Sequence, residues 1–324
     1  MTDAHTLCST RSPLEPFLCS QGFLVLDGGL ATELEAAGHM LDHALWSAKI
    51  LMDQPRAVLD VHLSYLTAGA DCIIGAGYQA SPRGLRESGY SNEEIRTVSE
   101  QSVTVAKDAR DLFLTEFNSR ESAPSPIVAA GLGPFGAYLA DGSEFRGRYG
   151  VSSEELRDFH AERLQILWQA EPDLLAIETL PDAQELDVLL RLLQDMDDIR
   201  AWISFSCADE KHLNDGTPLI ECARACADVE QVLAVGVNCT PPRFLDRLIP
   251  EIRAGAPPKP VVVYPNSGEV YDGESRSWTG HSDPDDFGAS ARRWLDLGAS
   301  IIGGCCRSRP RHIQAVRQAL ETKR

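Results

Sequence analysis

Ala299-Ser300-Ile301-Ile302-Gly303-Gly304-Cys305-Cys306 is the stretch on which the fold turns. Its apolar residues run on without polar alternation, so it reads as a strand buried on both faces, the mark of a parallel sheet covered by helices. The run then stops at two glycines and two thiols. Earlier in the chain Ala234-Val235-Gly236-Val237-Asn238-Cys239 has the same shape. The full set of strand candidates is 23–29, 70–78, 126–133, 174–180, 201–207, 234–239, 260–266 and 300–306. Helical patterns lie between them. Segment 92–117 carries Ile95, Val98, Val103, Ala106 and Leu112, and 152–169, 182–196, 241–254, 284–297 and 310–322 follow, opening at prolines or capping residues. Repeated strand–helix units without a glycine-rich dinucleotide loop predict an α/β protein, a single (β/α)8 TIM barrel rather than an open doubly wound sheet. The barrel is expected over 21–324, after a poorly ordered N-terminal extension, 1–20.

Catalytic groups of such a barrel lie at the C-terminal ends of the strands. Those ends here are Asp27-Gly28-Gly29, Tyr78-Gln79, Gly133-Pro134, Glu178-Thr179, Ser206-Cys207, Asn238-Cys239, Tyr264-Pro265-Asn266 and Cys305-Cys306. Polar and metal-binding side chains are concentrated there. The same rim carries the two longest non-helical stretches, 134–151 and 267–283, and long loops in compact domains usually bind or cover a ligand.

Composition excludes several classes of function. The net charge is −18, with no run of Lys and Arg; such a surface repels phosphate backbones and anionic bilayers, so neither nucleic acid nor membrane is an expected partner. No apolar stretch approaches the roughly 20 residues of a membrane span. The first 21 residues lack the basic segment and apolar core of a secretory signal. Nine cysteines without export point to a reducing, cytoplasmic setting. Free cysteine often behaves as a small buried hydrophobe, and Cys8, Cys19, Cys72, Cys207, Cys222 and Cys226 are read that way. A vicinal cysteine pair alone is read as easily.

Position in the fold changes that reading for three thiols. Cys239 ends strand six and Cys305-Cys306 end strand eight, so a single strand separates them. Three thiolates at about 2.3 Å leave Zn2+ one open position, the layout of a catalytic site. A zinc with three thiolates is a weak Lewis acid, poorly suited to making hydroxide but well suited to holding a fourth thiolate. Coordination deprotonates a thiol whose free pKa is about 8.5. The implied chemistry is alkylation of a substrate thiol.

The motifs resemble those of the zinc-dependent homocysteine S-methyltransferase family, in particular the branch using S-methylmethionine or S-adenosylmethionine. The matching stretches are Leu26-Asp27-Gly28-Gly29, Tyr78-Gln79-Ala80-Ser81, the loop from Gly136 to Gly147, Glu178-Thr179-Leu180, Gly236 to Pro242, Tyr264 to Glu269 and Gly303 to Cys306. The resemblance implies that Cys239, Cys305 and Cys306 ligate zinc and that Glu178, with Asp27, receives the ammonium of homocysteine. Backbone N–H groups of Gly28 and Gly29 are read as holders of the substrate carboxylate, with a tight turn as the other reading. Tyr78 and Asn266 complete the expected substrate-binding set. The donor is a sulfonium, so aromatic faces (Tyr78, Phe135, Tyr138, Tyr264) and carboxylates (Asp141, Glu144) are expected near it. Gly75-Ala76-Gly77 stand where polar residues are usual in that branch, and Arg148 where an acidic one is. Two alternatives stay open: a different thiol or selenol acceptor, or another donor; and a non-catalytic barrel binding zinc and a thiol amino acid.

Overall fold

A computed structural model describes residues 12–40, 46–117, 123–272, 277–280 and 282–322. Eight parallel strands form the sheet: β1 (Leu24–Val25), β2 (Cys72–Gly75), β3 (Ile127–Leu132), β4 (Leu174–Leu180), β5 (Ala201–Phe205), β6 (Val232–Asn238), β7 (Val261–Tyr264) and β8 (Ala299–Ile302). Each strand from β2 to β8 pairs with the next in sequence, and β8 pairs with β1. A bridge between Leu26 and Cys72 joins β1 to β2 and closes the ring. The expected TIM barrel is therefore present. Apolar side chains fill two layers. Leu24, Leu26, Ala129, Trp202, Val262 and Ile301 belong to an inner cluster, and a larger one lies between strands and helices.

Several strands are shorter at their C-terminal ends than the sequence pattern suggests. β8 stops at Ile302, and 303–306 bend over the rim instead of continuing the ladder. The expected helices recur with small shifts, as Asn92–Glu116, Ser153–Gln169, Ala183–Gln194, Leu245–Gly255, Pro284–Leu297 and Pro310–Glu321. Loop 134–151 contains a helix, Phe135–Leu139, and a 3-10 turn, Ser143–Phe145, and the later loop carries a two-stranded ribbon, Val270–Asp272 with Ser277–Thr279. No described helix is long and apolar enough to cross a membrane.

The N-terminal expectation needs correction where it can be examined. Residues 1–11, with Cys8, lie outside the described residues. From Ser12 onward the segment is folded: Glu15–Ser20 is a helix, and Leu14 and Phe17 bury themselves in the inner cluster. Three large apolar side chains in Leu14, Phe17 and Leu18 are the signal for this docking.

The seam between the first and last units is held at the N-terminal end of the barrel. Asp71, 1% exposed, accepts hydrogen bonds from Val25 N (3.0 Å) and Gln21 Nε2 (2.9 Å) and pairs with Arg317 of the last helix. Arg317 also donates to Gly69 O and lies over the Phe23 ring. Removing one member of a buried pair leaves the other charge unsolvated. Asp71→Asn should therefore cost about 3–5 kcal/mol of stability, read as a lower urea midpoint. A midpoint equal to the parent's would show that the seam is held elsewhere.

Candidate active site

The three thiols meet at the rim because the backbone leaves the ladder at each of them. Cys239 follows β6 in the left-handed region (φ 46°) and donates its N–H to Tyr264 O at 3.3 Å. Gly303 N, Gly304 N and Cys305 N donate to Val263 O, Asp27 O and Pro265 O, so the segment after β8 is clamped between both neighbouring strand ends. The three half-buried Sγ atoms lie within 4.8 Å of one another, with Cys239 and Cys306 at 3.6 Å. A tetrahedral zinc with 2.3 Å bonds sets sulfurs about 3.8 Å apart, so the donor set suits the ion in both kind and spacing. Hydrogen bonds from the Cys239 and Cys305 thiols pull the Cys306 thiol well below its usual range.

Glu178 lies on β4 beside this cluster, 8% exposed. Burial, reinforced by the charge of Cys305, pushes its pKa to about 8, partly offset by the Tyr264 hydroxyl and Arg163. The next residue, Thr179, has φ 63°, an uncommon conformation for a β-branched side chain that survives only where the surroundings over-determine it. Asn238 does so. Its Oδ1 accepts from Thr179 N and its Nδ2 donates to Thr179 Oγ1, both at 2.7 Å. The same fully buried amide accepts from Ser204 Oγ (2.9 Å) and approaches Cys305 Sγ (4.0 Å). Asp27 is buried nearby. Its carboxylate accepts from Ile74 N at 2.9 Å, and burial raises its pKa well above the usual range despite that bond.

Two glycine readings separate. The Gly29 N–H is donated to Ser308 O at 3.1 Å, so it does not face a substrate carboxylate. Its lack of a side chain serves close packing instead, since a Cβ there would lie 2.8 Å from Cys305 O. Gly28 packs against the Tyr65 ring. Tyr78 is half-buried, and its phenol is pushed up by burial and by the charges of Cys239 and Glu144, which places it at the cluster. Asn266 donates its N–H to Thr240 O, while its Oδ1 is buried without a hydrogen-bond partner among the described residues. Ser267 Oγ and Glu144 Oε2 are orphaned in the same way. Buried polar atoms are nearly always paired, so orphans near reactive thiols are fitting contacts for a ligand.

Other expected donor-side residues are elsewhere. Tyr264 points into the barrel, its hydroxyl bonded to Trp202 Nε1 and Ser204 Oγ. Phe135 and Tyr138 pack with Phe159, centroids 5.0–5.5 Å apart, in a satellite core. Asp141 is exposed and paired with Arg146. The Arg148 guanidinium is fixed on Asp215 O. At Gly77 a Cβ would stand 2.3 Å from Gly131 O, so polar side chains are excluded there by the approach of β3. Arg163 was not anticipated. Buried on the helix Ser153–Gln169, it donates to Gly77 O, Tyr78 O and Gly133 O at 2.6–2.9 Å and so fixes the backbone that carries Tyr78. An arginine facing inward on an apolar helix stripe was its only sequence signal.

Comparison with known proteins agrees with this geometry. A family model described as homocysteine S-methyltransferase matches residues 24–320. A homocysteine S-methyltransferase of Bacillus subtilis is 46% identical over 305 residues, covering 94% of this chain and 96% of its own. A selenocysteine Se-methyltransferase of broccoli (Brassica oleracea var. italica) is 40% identical over 333 residues, covering 100% of this chain and 95% of its own. The metallated form of the Escherichia coli homocysteine methyltransferase MmuM superposes with a TM-score of 0.84 at 40% identity, covering 95% and 99% of the two chains. With the barrel, the rim thiols and these similarities together, the chain belongs to the homocysteine S-methyltransferase family.

Proposed function

We propose that the protein methylates the thiolate of L-homocysteine from a sulfonium donor, S-methylmethionine or S-adenosylmethionine, giving methionine. The observation that carries this reading is the meeting of three Sγ atoms within 4.8 Å beside the buried Glu178. Cys239, Cys305 and Cys306 would hold Zn2+, which supplies deprotonation of a coordinated substrate thiol near neutral pH. Glu178 and Asp27 receive the ammonium, Asn266 Oδ1 offers it a further acceptor, and the Gly28 N–H orients the carboxylate. Tyr78 lies where the donor approaches. The thiolate's electron pair attacks the methyl carbon in line; the bond from that carbon to the sulfonium breaks and the donor leaves as a neutral thioether. Most of the acceleration then comes from positioning two partners. The free thiols suit a reducing cytoplasm, and the charge of −18 disfavours nucleic acid. A selenol acceptor is the second reading, supported by the similarity to a selenocysteine Se-methyltransferase.

The reading is tested by methionine formation from homocysteine with S-methylmethionine, S-adenosylmethionine or betaine, using zinc-loaded protein. Turnover with a sulfonium donor is expected. Cys306→Ser should lose bound zinc and at least about 100-fold in rate while keeping its far-UV circular dichroism. Full activity in a metal-free Cys306→Ser protein would refute the thiol cluster's role.

A second expectation concerns pH. Glu178 has a pKa of about 8 in the free site, and a bound ammonium favours the ionised form. Ligand binding therefore releases a proton, and affinity should rise by up to about tenfold per pH unit below that pKa and flatten above it. Methionine is a suitable probe because it carries the ammonium without a thiol. Titration calorimetry of the metal-free protein should show this slope, and Glu178→Gln should flatten it. An unchanged slope in that variant would place the titrating group elsewhere.

A further inference from the structure

We infer that Glu144 is the specificity residue for a cationic methyl donor: its buried, unpaired carboxylate oxygen, on a turn that borders the thiol cluster, receives the sulfonium. The inference rests on the methyl-transfer reading above and assigns the donor side of that site.

The loop bearing Glu144 is held from both ends. Glu185, fully buried at the start of the helix Ala183–Gln194, accepts Phe135 N (2.6 Å), His160 Nε2 (2.7 Å) and Tyr149 OH (2.9 Å). Asp182, the cap of the same helix, accepts Arg148 N at 2.6 Å. Between these anchors Glu144 occupies the 3-10 turn Ser143–Phe145. Ser206 Oγ lies 3.2 Å from Glu144 O and 3.3 Å from Thr179 O, so the turn is tied beside the residue that follows Glu178. A Cβ at Gly136 would stand 2.4 Å from Glu144 N, and only glycine admits the turn so close. Thr179 is itself bonded to Asn238, whose Nδ2 lies 4.0 Å from Cys305 Sγ, so the turn borders the thiol cluster. Glu144 Oε2 is buried and has no hydrogen-bond partner among the described residues.

A buried carboxylate oxygen without a partner is costly, and a cationic ligand removes that cost. The ammonium of the acceptor amino acid is served by Glu178 and Asp27, on the Cys305 side. Glu144 is left for the donor, with the Tyr78 ring as a neighbouring aromatic face. Asp141, the other carboxylate of the loop, faces solvent and is paired with Arg146.

The charge balance of the reaction dictates a kinetic signature. A sulfonium and a thiolate become two neutral thioethers, so the donor's positive charge is already fading in the transition state. Glu144 therefore binds the ground state more strongly than the transition state, and losing it raises KM for the donor without lowering kcat in proportion.

The test is Glu144→Gln in the zinc-loaded enzyme, assayed with homocysteine and S-methylmethionine. The donor KM should rise about 10- to 100-fold, while kcat, the homocysteine KM and zinc content stay within about threefold. Glu144→Asp should fall between. In calorimetry, S-methylmethionine should bind Glu144→Gln more weakly than the parent, and the neutral thioether methionine should bind both alike. An unchanged donor KM, or equal losses for S-methylmethionine and methionine, overturns the inference. Absence of turnover in the parent enzyme would count against the proposed reaction instead, and the two binding ratios would still decide the role of Glu144.

Discussion

The side-chain amide of Asn238 is the interaction on which the rest of the site depends. It joins three strand ends at once: Thr179 after Glu178 on β4, Ser204 on β5, and its own position before Cys239 on β6. Its Nδ2 also faces Cys305 from β8. Holding Thr179 in the left-handed region costs on the order of 1–3 kcal/mol, and two hydrogen bonds at 2.7 Å offset that cost. Without them Glu178 would relax toward ordinary strand geometry and move relative to the thiols. One amide thereby fixes the position of Glu178, the proposed ammonium acceptor, relative to the thiols proposed to activate the sulfur.

The sequence announced the barrel because a parallel barrel repeats one physical requirement. Each strand must be apolar on both faces, and each crossover must be an amphipathic helix. The pattern in 234–239 and 299–306 carried the cysteines along with it, so topology alone placed Cys239, Cys305 and Cys306 together. Glu178 was legible for the same reason, as a carboxylate interrupting an apolar run at the rim. What escaped was what depends on the direction of a side chain or the partner of a backbone group. Phe135, Tyr138 and Tyr264 sit at strand ends as expected, yet two face a satellite core and the third the barrel interior. The donation of Gly29 N to Ser308 O joins residues far apart in sequence, and no local pattern encodes it. Asn238 and Arg163 were readable as polar residues in apolar surroundings, but their partners lie on other strands.

Electrostatics separate the two ends of the molecule. At the N-terminal end Asp71 and Arg317 neutralise each other in a tight pair that serves closure of the ring. At the C-terminal rim Asp27, Glu178 and Glu144 are shielded from water, and burial raises the pKa of each, only partly offset by Arg163 at Glu178 and by Arg146 at Glu144. Arg163, a buried cation close by, spends its donors on three carbonyls. Burial of three carboxyls thus leaves the rim suited to positively charged ligands. That arrangement matches the proposed reaction, in which both organic partners would enter as cation-bearing molecules and a bound metal would add further positive charge.

The anchoring of loop 134–151 has a consequence for how such an enzyme changes over evolutionary time. Phe135, Arg148 and Tyr149 all fasten to one junction, that of Asp182 and Glu185. A segment pinned at both ends to the same short stretch behaves as a replaceable cassette: its interior can diverge while its ends keep their seats. Since the thiol cluster and Glu178 are built from other strands, new leaving groups can be explored through this insert without disturbing nucleophile activation. The barrel in effect would keep acceptor activation and donor recognition on separately heritable parts.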